Sequence, residues 1–261
     1  MKKNILKITL AFLSIVLISS CSKKDDKISS PQNLVSLDTK SISLHYDESH
    51  QFYFVNKSVI ASDYNWVSTD ETIGTVDRSG KFTAQKIGTT TIKATKGSEV
   101  FESQVTVVPY STICKEPYWN FSDNISATKG KETRTILSQT STSLVYTGEN
   151  AKIRNIMYMY DSTSGKMSSA AILFAYGDAV IQEAAKFFKE RYYYLGEDTD
   201  ADSGNTFYYF GDEKNIVIGI TQDAKLGLIT IYIPNTGGNG SVNSTMAKTL
   251  LDVIKNAKKV Q

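Results

Sequence analysis

Three aspartates that alternate along the chain have the strongest metal-binding pattern in this sequence. Asp198, Asp200 and Asp202 stand at every second position, and carboxylates spaced in this way can converge on a calcium ion. A calcium loop of this kind also needs a glycine and a bidentate glutamate at fixed distances. Ser203 holds the glycine position and Tyr209 holds the glutamate position. These two mismatches favour a solvated loop between a helix and a strand, and a calcium site at Asp198, Asp200 and Asp202 is the alternative.

A second set of candidate binding residues is aromatic. Tyrosines occupy positions 192–194 and 208–209, and Trp119 lies upstream of them. Such rings can form a platform on which sugar rings stack. Aromatic residues in strands more often pack as core residues or as cross-strand pairs, so the sugar platform is the alternative interpretation.

Nucleophilic catalysis has no support in the residue pattern. Both histidines, His45 and His50, lie near the N-terminus, and the chain after Gly97 has no histidine that could activate Cys114. The sequence contains neither a G-x-S-x-G elbow nor a phosphate-binding loop. We therefore expect no enzyme activity and no cofactor. We expect Cys114 to be a small packed residue and the two histidines to be partly exposed strand residues.

The first twenty residues have the pattern of an export signal. Three lysines precede an apolar run at positions 8–18, and two serines come before Cys21. The run is about eleven residues long, whereas a helix that crosses a bilayer needs roughly twenty. An aliphatic residue, two small residues and Cys21 resemble the bacterial lipobox. That resemblance implies cleavage before Cys21 and acylation of its thiol and new amino group, which anchor the chain in a membrane.

The polar segment after the anchor suggests a destination. Residues 22–26, Ser-Lys-Lys-Asp-Asp, resemble the short charged signals that direct some Gram-negative lipoproteins to the outer face of the outer membrane. Residues 21–33 have little apolar surface to bury and are expected to form a tether. The resemblance implies a lipid-anchored protein of the outer membrane that faces the cell exterior.

Composition indicates which partners the protein can bind and whether it can form a disulfide. The 261 residues carry a formal charge of +2, but the predicted signal contains three lysines and no acid. Its removal leaves 26 basic and 27 acidic residues, so the mature chain lacks the basic surplus of a nucleic-acid-binding protein. Acylation of Cys21 leaves Cys114 as the one remaining cysteine. An intrachain disulfide is therefore excluded.

Residues 34–109 alternate polar and apolar positions in short stretches separated by turns, which predicts a β-sandwich. Four blocks follow in order: WVSTD at 66–70, IGTVD at 73–77, SGKFTA at 79–84 and GTTTI at 88–92. These blocks resemble the bacterial Ig-like group 2 module, in which the blocks read W-x-S-S-D, V-A-x-V-D-x-x-G-x-V-T-A and G-x-A-x-I. Gly74 replaces the usual alanine and Phe82 the usual valine. The resemblance implies a role in spacing, display or adhesion, without catalysis.

Two residues of this region have predicted structural roles. Trp66 is large and apolar enough to plug the space between two sheets. Gly80 follows a serine at a turn, where a tight hairpin favours a residue with positive φ.

Residues 110–261 change to a mixed pattern of helices and strands. The predicted elements are a helix at 122–137, strands at 143–147, 153–161 and 166–176, a helix with Asp178 as its N-cap, and strands at 206–210, 215–221 and 226–233. A last amphipathic helix is lined by Met246, Leu250, Ile254 and Ala257. The order predicts an α-β-β-β unit that occurs twice, in an α+β domain with an antiparallel sheet and covering helices.

Short matches support this repeat. Residues 143–146 parallel 206–209, and residues 165–176 parallel 224–233. Chance similarity between short apolar stretches is the alternative.

The whole chain therefore divides into a signal (1–20), a tether (21–33), an all-β Ig-like sandwich (34–109) and an α+β domain (110–261). We expect a surface-exposed outer-membrane lipoprotein whose Ig-like spacer displays the C-terminal domain for adhesion or for binding a glycan or protein. The expected partners are the membrane, through the lipid anchor, and such a ligand, but no nucleic acid. A hydrolase or accessory lipoprotein in polysaccharide utilisation is the alternative, because opposed carboxylates cannot be located from sequence.

Overall fold

The computed structural model describes residues 35–55, 58–201, 204–212, 215–235 and 251–255. These residues belong to one compact unit that spans 35–261. The predicted signal, the tether and Cys21 lie outside the described residues. None of the helices within these ranges has the length and apolar character needed to cross a membrane.

The N-terminal part folds as two facing sheets, as the sequence predicts. Its strands are β1 (Ser41–His45), β2 (Ser49–Gln51), β3 (Asn65–Ser68), β4 (Gly74–Val76), β5 (Lys81–Ala84), β6 (Gly88–Lys96) and β7 (Glu99–Val108). One sheet has the order β1-β7-β6-β3 and the other the order β2-β5-β4. Strand β1 runs parallel to β7, and the other neighbouring strands pair antiparallel. Apolar side chains from both sheets form a single core cluster.

Trp66 and Gly80 have the predicted roles in this core. Trp66 is 7% exposed, and its indole Nε1 donates a hydrogen bond to the Ala61 carbonyl oxygen at 2.8 Å. This bond satisfies the one polar atom of a large apolar side chain. Gly80 has φ +84°, and a Cβ atom there would lie 2.9 Å from the Trp66 ring. Glycine is therefore required by both the turn and the packing.

The C-terminal part is built on one eight-stranded antiparallel sheet. Its elements are α1 (Ile125–Lys131), β8 (Ile136–Gln139), β9 (Ser143–Thr147), β10 (Ile153–Tyr160), β11 (Met167–Phe174), α2 (Asp178–Lys189), β12 (Tyr193–Thr199), β13 (Thr206–Gly211), β14 (Ile216–Asp223) and β15 (Gly227–Pro234). The strand order is β12-β13-β14-β15-β11-β10-β9-β8. Strands β11 and β15 pair at the centre, with Ala171 opposite Ile231.

The sheet consists of two halves, and each is one helix followed by four strands. The prediction of three strands per unit was wrong, because β8 and β12 were missed. Strand β12 has a register shift at Gly196, where φ is +130°, and this irregularity interrupts the alternation that marks a strand. The matched sequence stretches lie on the second strands, β9 and β13, and on the fourth strands, β11 and β15.

Both helix boundaries differ from the predictions. Helix α1 ends at Lys131, and the predicted extension to residue 137 instead contains the exposed edge strand β8. Glu132 takes an extended conformation and ion-pairs with Arg134, with both side chains buried, which stops the helix. In α2 the N-cap is Gly177, and Asp178 is the first helical residue.

Both faces of the sheet are apolar. On the α2 face, Ala184, Phe187 and Phe188 of the helix pack against the strands. On the opposite face, Phe207 and Tyr209 join a second core with Val253 and Ile254, which lie in the helical turn 251–255. Ile254 is thus buried as the last predicted helix requires, whereas Met246, Leu250 and Ala257 lie outside the described residues.

Candidate functional site

A cleft of about 880 Å³ lies on the α2 face of the sheet, between the helix and the outer strands of the second half. Its helix wall is formed by Ile181, Ala184 and Ala185, and its sheet wall includes Phe210 and Ile220. These walls are apolar because the helix faces its apolar stripe toward the sheet and the strands direct alternate residues toward the helix. The volume lies within the range of small-molecule sites.

Tyrosines surround the cleft. Tyr194 and Tyr208 lie on the neighbouring strands β12 and β13 and are 56% and 46% exposed. Tyr194 packs edge-on against Phe210, with ring centroids 5.5 Å apart. Tyr46, from the segment after β1, adds a ring from the N-terminal part of the chain. The cleft therefore offers aromatic surface to solvent at a concave site, where a ligand can reach it.

Tyr192 is held in place at the inner end of the cleft. Its Oη donates a hydrogen bond to Glu116 Oε1 at 2.6 Å. Burial and the nearby charge of Glu116 raise the pKa of Tyr192, so this phenol stays protonated and acts as a donor. Burial also raises the pKa of Glu116, although the hydrogen bond from Tyr192 and the charge of Arg191 oppose that effect.

Two lysines lie at the C-terminal end of α2. Lys189 is exposed on the last turn, and Lys86 reaches it from the N-terminal sandwich. Lys86 Nζ donates to the Lys189 carbonyl oxygen at 2.8 Å and lies 4.9 Å from the centre of the Tyr193 ring. Burial lowers the pKa of Lys86. None of the described residues that line the cleft is acidic.

Glu190 fixes the sandwich to α2 beside the cleft. Its side chain is fully buried and accepts hydrogen bonds from the backbone N–H groups of Tyr110 at 2.8 Å and Ser111 at 3.1 Å. Arg191 Nη1 also donates a hydrogen bond to Glu190 Oε1 at 2.6 Å. The Glu190 carbonyl oxygen accepts from Ile87 N at 2.9 Å. The sandwich is thus bonded to the end of α2, and its Tyr46 and Lys86 form part of the cleft.

The structure separates the predicted aromatic residues. Tyr192, Tyr194 and Tyr208 line the cleft. Tyr209 is fully buried on the opposite face of the sheet, because its position in β13 alternates with that of Tyr208. Trp119 stacks on Phe121 at a centroid distance of 6.2 Å, near the first half of the sheet.

Asp198 and Asp200 lie in a β-hairpin between β12 and β13, so their expected position between a helix and a strand was wrong. Asp198 lies in β12 opposite Phe207, and Asp200 donates its backbone N–H to the Asn205 carbonyl oxygen at 3.0 Å in the connecting loop. Asp202 lies outside the described residues. Within the described ranges, no group of three His, Cys, Asp or Glu is placed to hold a metal ion. The calcium site at this loop stays a prediction.

Cys114 and the histidines occupy structural positions. Cys114 is buried in the core on the α2 face, and burial, with Glu149 and Glu116, raises the pKa of its thiol to about 12. His50 Nε2 lies 2.9 Å from Asp38 Oδ2. His45 stacks on Tyr110 with ring centroids 3.9 Å apart. A thiol with so high a pKa is protonated at neutral pH and is a poor nucleophile.

Sequence reasoning missed the two lysines and Tyr46 of the cleft. Lys86 and Tyr46 lie in the sandwich, and more than a hundred residues separate them from the tyrosines of β12 and β13. A lysine in a polar turn carries no signal that it faces a distant helix terminus.

Comparison with known proteins identifies one segment. Residues 34–107 match the family model of the bacterial Ig-like domain (group 2). They form a bacterial Ig-like domain. The two-sheet sandwich and the buried Trp66 agree with this assignment, which confirms the prediction for this region. No curated protein sequence matches the chain.

Two solved structures show a distant likeness. A structure of surface layer protein SbsC, domains 4–9, is 12% identical, with 80% of this chain and 28% of that chain covered and a TM-score of 0.25. The chain thus spans less than a third of that structure's length. A structure of the S-layer protein SbsC, domains 5–6, is also 12% identical, with 78% and 98% coverage and a TM-score of 0.25. At this TM-score the likeness carries no conclusion about the chain.

Proposed function

We propose that this protein is a non-catalytic cell-envelope lipoprotein that presents a ligand-binding cleft at the cell surface. Cys21 anchors it in the outer membrane, and the α+β recognition domain at 110–261 supplies most of the cleft. The observation that supports binding is the concave apolar site with exposed Tyr194 and Tyr208 at its rim. Aromatic surface that is exposed in a concave site is typical of ligand-binding sites.

The Ig-like domain has a larger part in this proposal than that of a spacer. Tyr46 and Lys86 line the cleft, and Glu190 joins the sandwich to α2. A fragment that begins at residue 110 would lack these two lining residues. Binding is therefore best measured on the chain from Ser22 onward, which retains the whole compact unit at 35–261.

A screen of glycans and peptides, with a variant that fills the cleft, tests this function. Replacing Ala185 with tryptophan places a large ring between the helix wall and the sheet wall. We expect ligands of the cleft to lose about tenfold or more in affinity. Ala179→Trp, on the exposed side of the same helix, is the matched control and should bind normally. Turnover of a polysaccharide substrate, or a ligand screen whose hits ignore Ala185→Trp, contradicts the proposal.

The anchor has a separate test. Cys21→Ser should abolish labelling with a radioactive or clickable fatty acid and should release the protein from the membrane fraction, because no acyl chain remains to be buried. Cys114→Ser is the control, since the Cys114 thiol is buried in the core and should take no label. Unchanged membrane retention of Cys21→Ser would refute the lipoprotein assignment without affecting the cleft.

A further inference from the structure

The walls of the cleft are mostly apolar and offer few partners to sugar hydroxyl groups. Ile181, Ala184 and Ala185 on the helix face Phe210, Ile220 and Leu228 on the sheet. Thr221 and Gln222 also line the cleft, but the Thr221 hydroxyl already donates a hydrogen bond to the Thr206 carbonyl oxygen. Aliphatic and phenyl side chains carry no hydrogen-bonding atoms, so a hydroxyl buried among them would lose its water partners without replacement. The apolar part of a ligand has no hydrogen bonds to lose, and its burial between these walls is favourable because it removes apolar surface from water. The interior therefore selects an aliphatic or aromatic body.

The rim has the opposite character, because it concentrates positive charge at one end. Lys86 Nζ lies against the Lys189 carbonyl oxygen, so both lysines belong to the C-terminal end of α2. The end of a helix carries only about half a negative charge, which two ammonium groups exceed. The ion pairs among the described residues include neither lysine. Glu197, which accepts from Tyr194 Oη at 3.2 Å, is exposed and does not line the cleft.

Lys86 is the more informative of the two. Its side chain is partly buried and contacts the Lys189 carbonyl oxygen and the Tyr193 ring, neither of which carries a full charge. Burial lowers its pKa, and none of the ion pairs among the described residues includes it. A partly desolvated ammonium without an anion is stabilised by an anionic ligand more than an exposed one is.

We propose that the cleft binds a small monoanionic amphiphile, whose aliphatic or aryl-aliphatic body lies between α2 and the sheet and whose carboxylate meets Lys86 and Lys189. This inference rests on the proposed binding function and names its ligand class. Tyr194 and Tyr208 cover the body at the open side of the cleft. The volume of about 880 Å³ accommodates such a body together with ordered water at the rim.

Three probes with the same tail and different head groups test the proposal. Decanoate, decan-1-ol and decyltrimethylammonium are titrated calorimetrically into the chain from Ser22 onward, each below its aggregation concentration. We expect decanoate to bind about tenfold more tightly than decan-1-ol, because it alone makes charge-assisted hydrogen bonds. The cationic probe should bind most weakly. Equal affinities for decanoate and decan-1-ol would overturn the assignment of an anionic ligand.

Lys86→Gln separates the charge from the structural role of this side chain. Glutamine retains an N–H donor for the Lys189 carbonyl oxygen but carries no charge. It should remove the tenfold preference for decanoate, leave the affinity for decan-1-ol within about twofold, and leave the melting temperature unchanged. Lys81→Gln, at an exposed position of β5, should change neither affinity. Lys189→Gln, at an exposed site, gives the same test if Lys86→Gln fails to fold.

The measurements distinguish a wrong ligand class from a wrong binding function. If Lys86→Gln weakens decanoate and decan-1-ol equally, the lysine is structural and the proposed head-group contact is wrong. If no decyl probe binds but a glycan or peptide does so in a manner sensitive to Ala185→Trp, the ligand class is wrong and the binding function stands. If no ligand of any class responds to Ala185→Trp, the binding function itself is refuted.

Discussion

Replacing Glu190 with alanine is expected to lower the free energy of unfolding by about 3 to 5 kcal/mol, the range found when one partner of a buried ion pair is removed. The Glu190 side chain is fully buried, and the side chain of Arg191 is only 13% exposed. The substitution leaves that guanidinium without its carboxylate. It also removes the acceptor of two backbone N–H groups, those of the partly exposed Tyr110 and of the buried Ser111.

Urea unfolding followed by circular dichroism measures this effect. Glu183→Ala is the matched control, because Glu183 lies on the same helix and ion-pairs with Lys152 at the surface. Its loss should cost no more than about 1 kcal/mol. A Glu190→Ala protein as stable as the Glu183→Ala protein would show that the contact between sandwich and helix contributes nothing. The same variant should also weaken ligand binding, since it loosens the part of the chain that carries Tyr46 and Lys86.

Gly74→Ala is expected to destabilise the Ig-like domain by about 1 to 3 kcal/mol, although alanine is the usual residue of the family at this position. A Cβ atom on Gly74 would lie 2.3 Å from the Phe82 ring and 2.6 Å from the Thr83 carbonyl oxygen. Phe82 is itself the other departure from the family pattern, and it is fully buried. The phenyl ring thus occupies the space that an alanine methyl group at position 74 would need.

The two departures therefore compensate each other. Phe82→Val alone should cost about 2 kcal/mol because it leaves a cavity in the core. The double variant should be destabilised by at least about 1 kcal/mol less than the two single effects together, since the methyl group enters the vacated space. Rescue is expected to be partial, because the contact with the Thr83 carbonyl oxygen does not depend on the ring.

Denaturant unfolding of the four proteins in this cycle measures the coupling. Gly130→Ala is the control glycine: it lies in α1, and a Cβ atom there meets nothing within 4 Å. It should be neutral or stabilise the protein by up to about 1 kcal/mol, as alanine favours a helix. Strictly additive effects of Gly74→Ala and Phe82→Val would show that the two positions do not interact.

The sequence predicted the features that depend on neighbouring residues. The motif blocks of the Ig-like domain, the buried Trp66 and the positive φ of Gly80 are encoded within residues 66–92. Six strands of the C-terminal sheet were also predicted, from short runs of mainly apolar residues between turn signals. Strand β12 was not predicted because the irregularity at Gly196 interrupts its residue pattern. Strand β8 was not predicted because its four residues are all exposed and form no apolar pattern.

The internal repeat was predicted in outline for the same reason. Similar stretches on β9 and β13, and on β11 and β15, could be compared directly along the chain. The way in which the two halves join could not be predicted, because the pairing of Ala171 with Ile231 connects strands that are sixty residues apart along the chain. Nothing local to either strand specifies which distant strand becomes its neighbour.

By itself, the sequence thus determined the type of the first domain and six strands of the C-terminal sheet, and it predicts a lipid anchor at Cys21. Only the tertiary structure decided which of the tyrosines share a site. Neighbouring residues of β13 point to opposite faces of the sheet, so Tyr208 lines the cleft and Tyr209 is buried in the core on the other face. It also decided that Lys86 of the Ig-like domain meets the end of α2. The physical reason is that a cleft is formed by side chains from distant parts of the chain, whose convergence depends on sheet register and on how the sandwich packs against the helix.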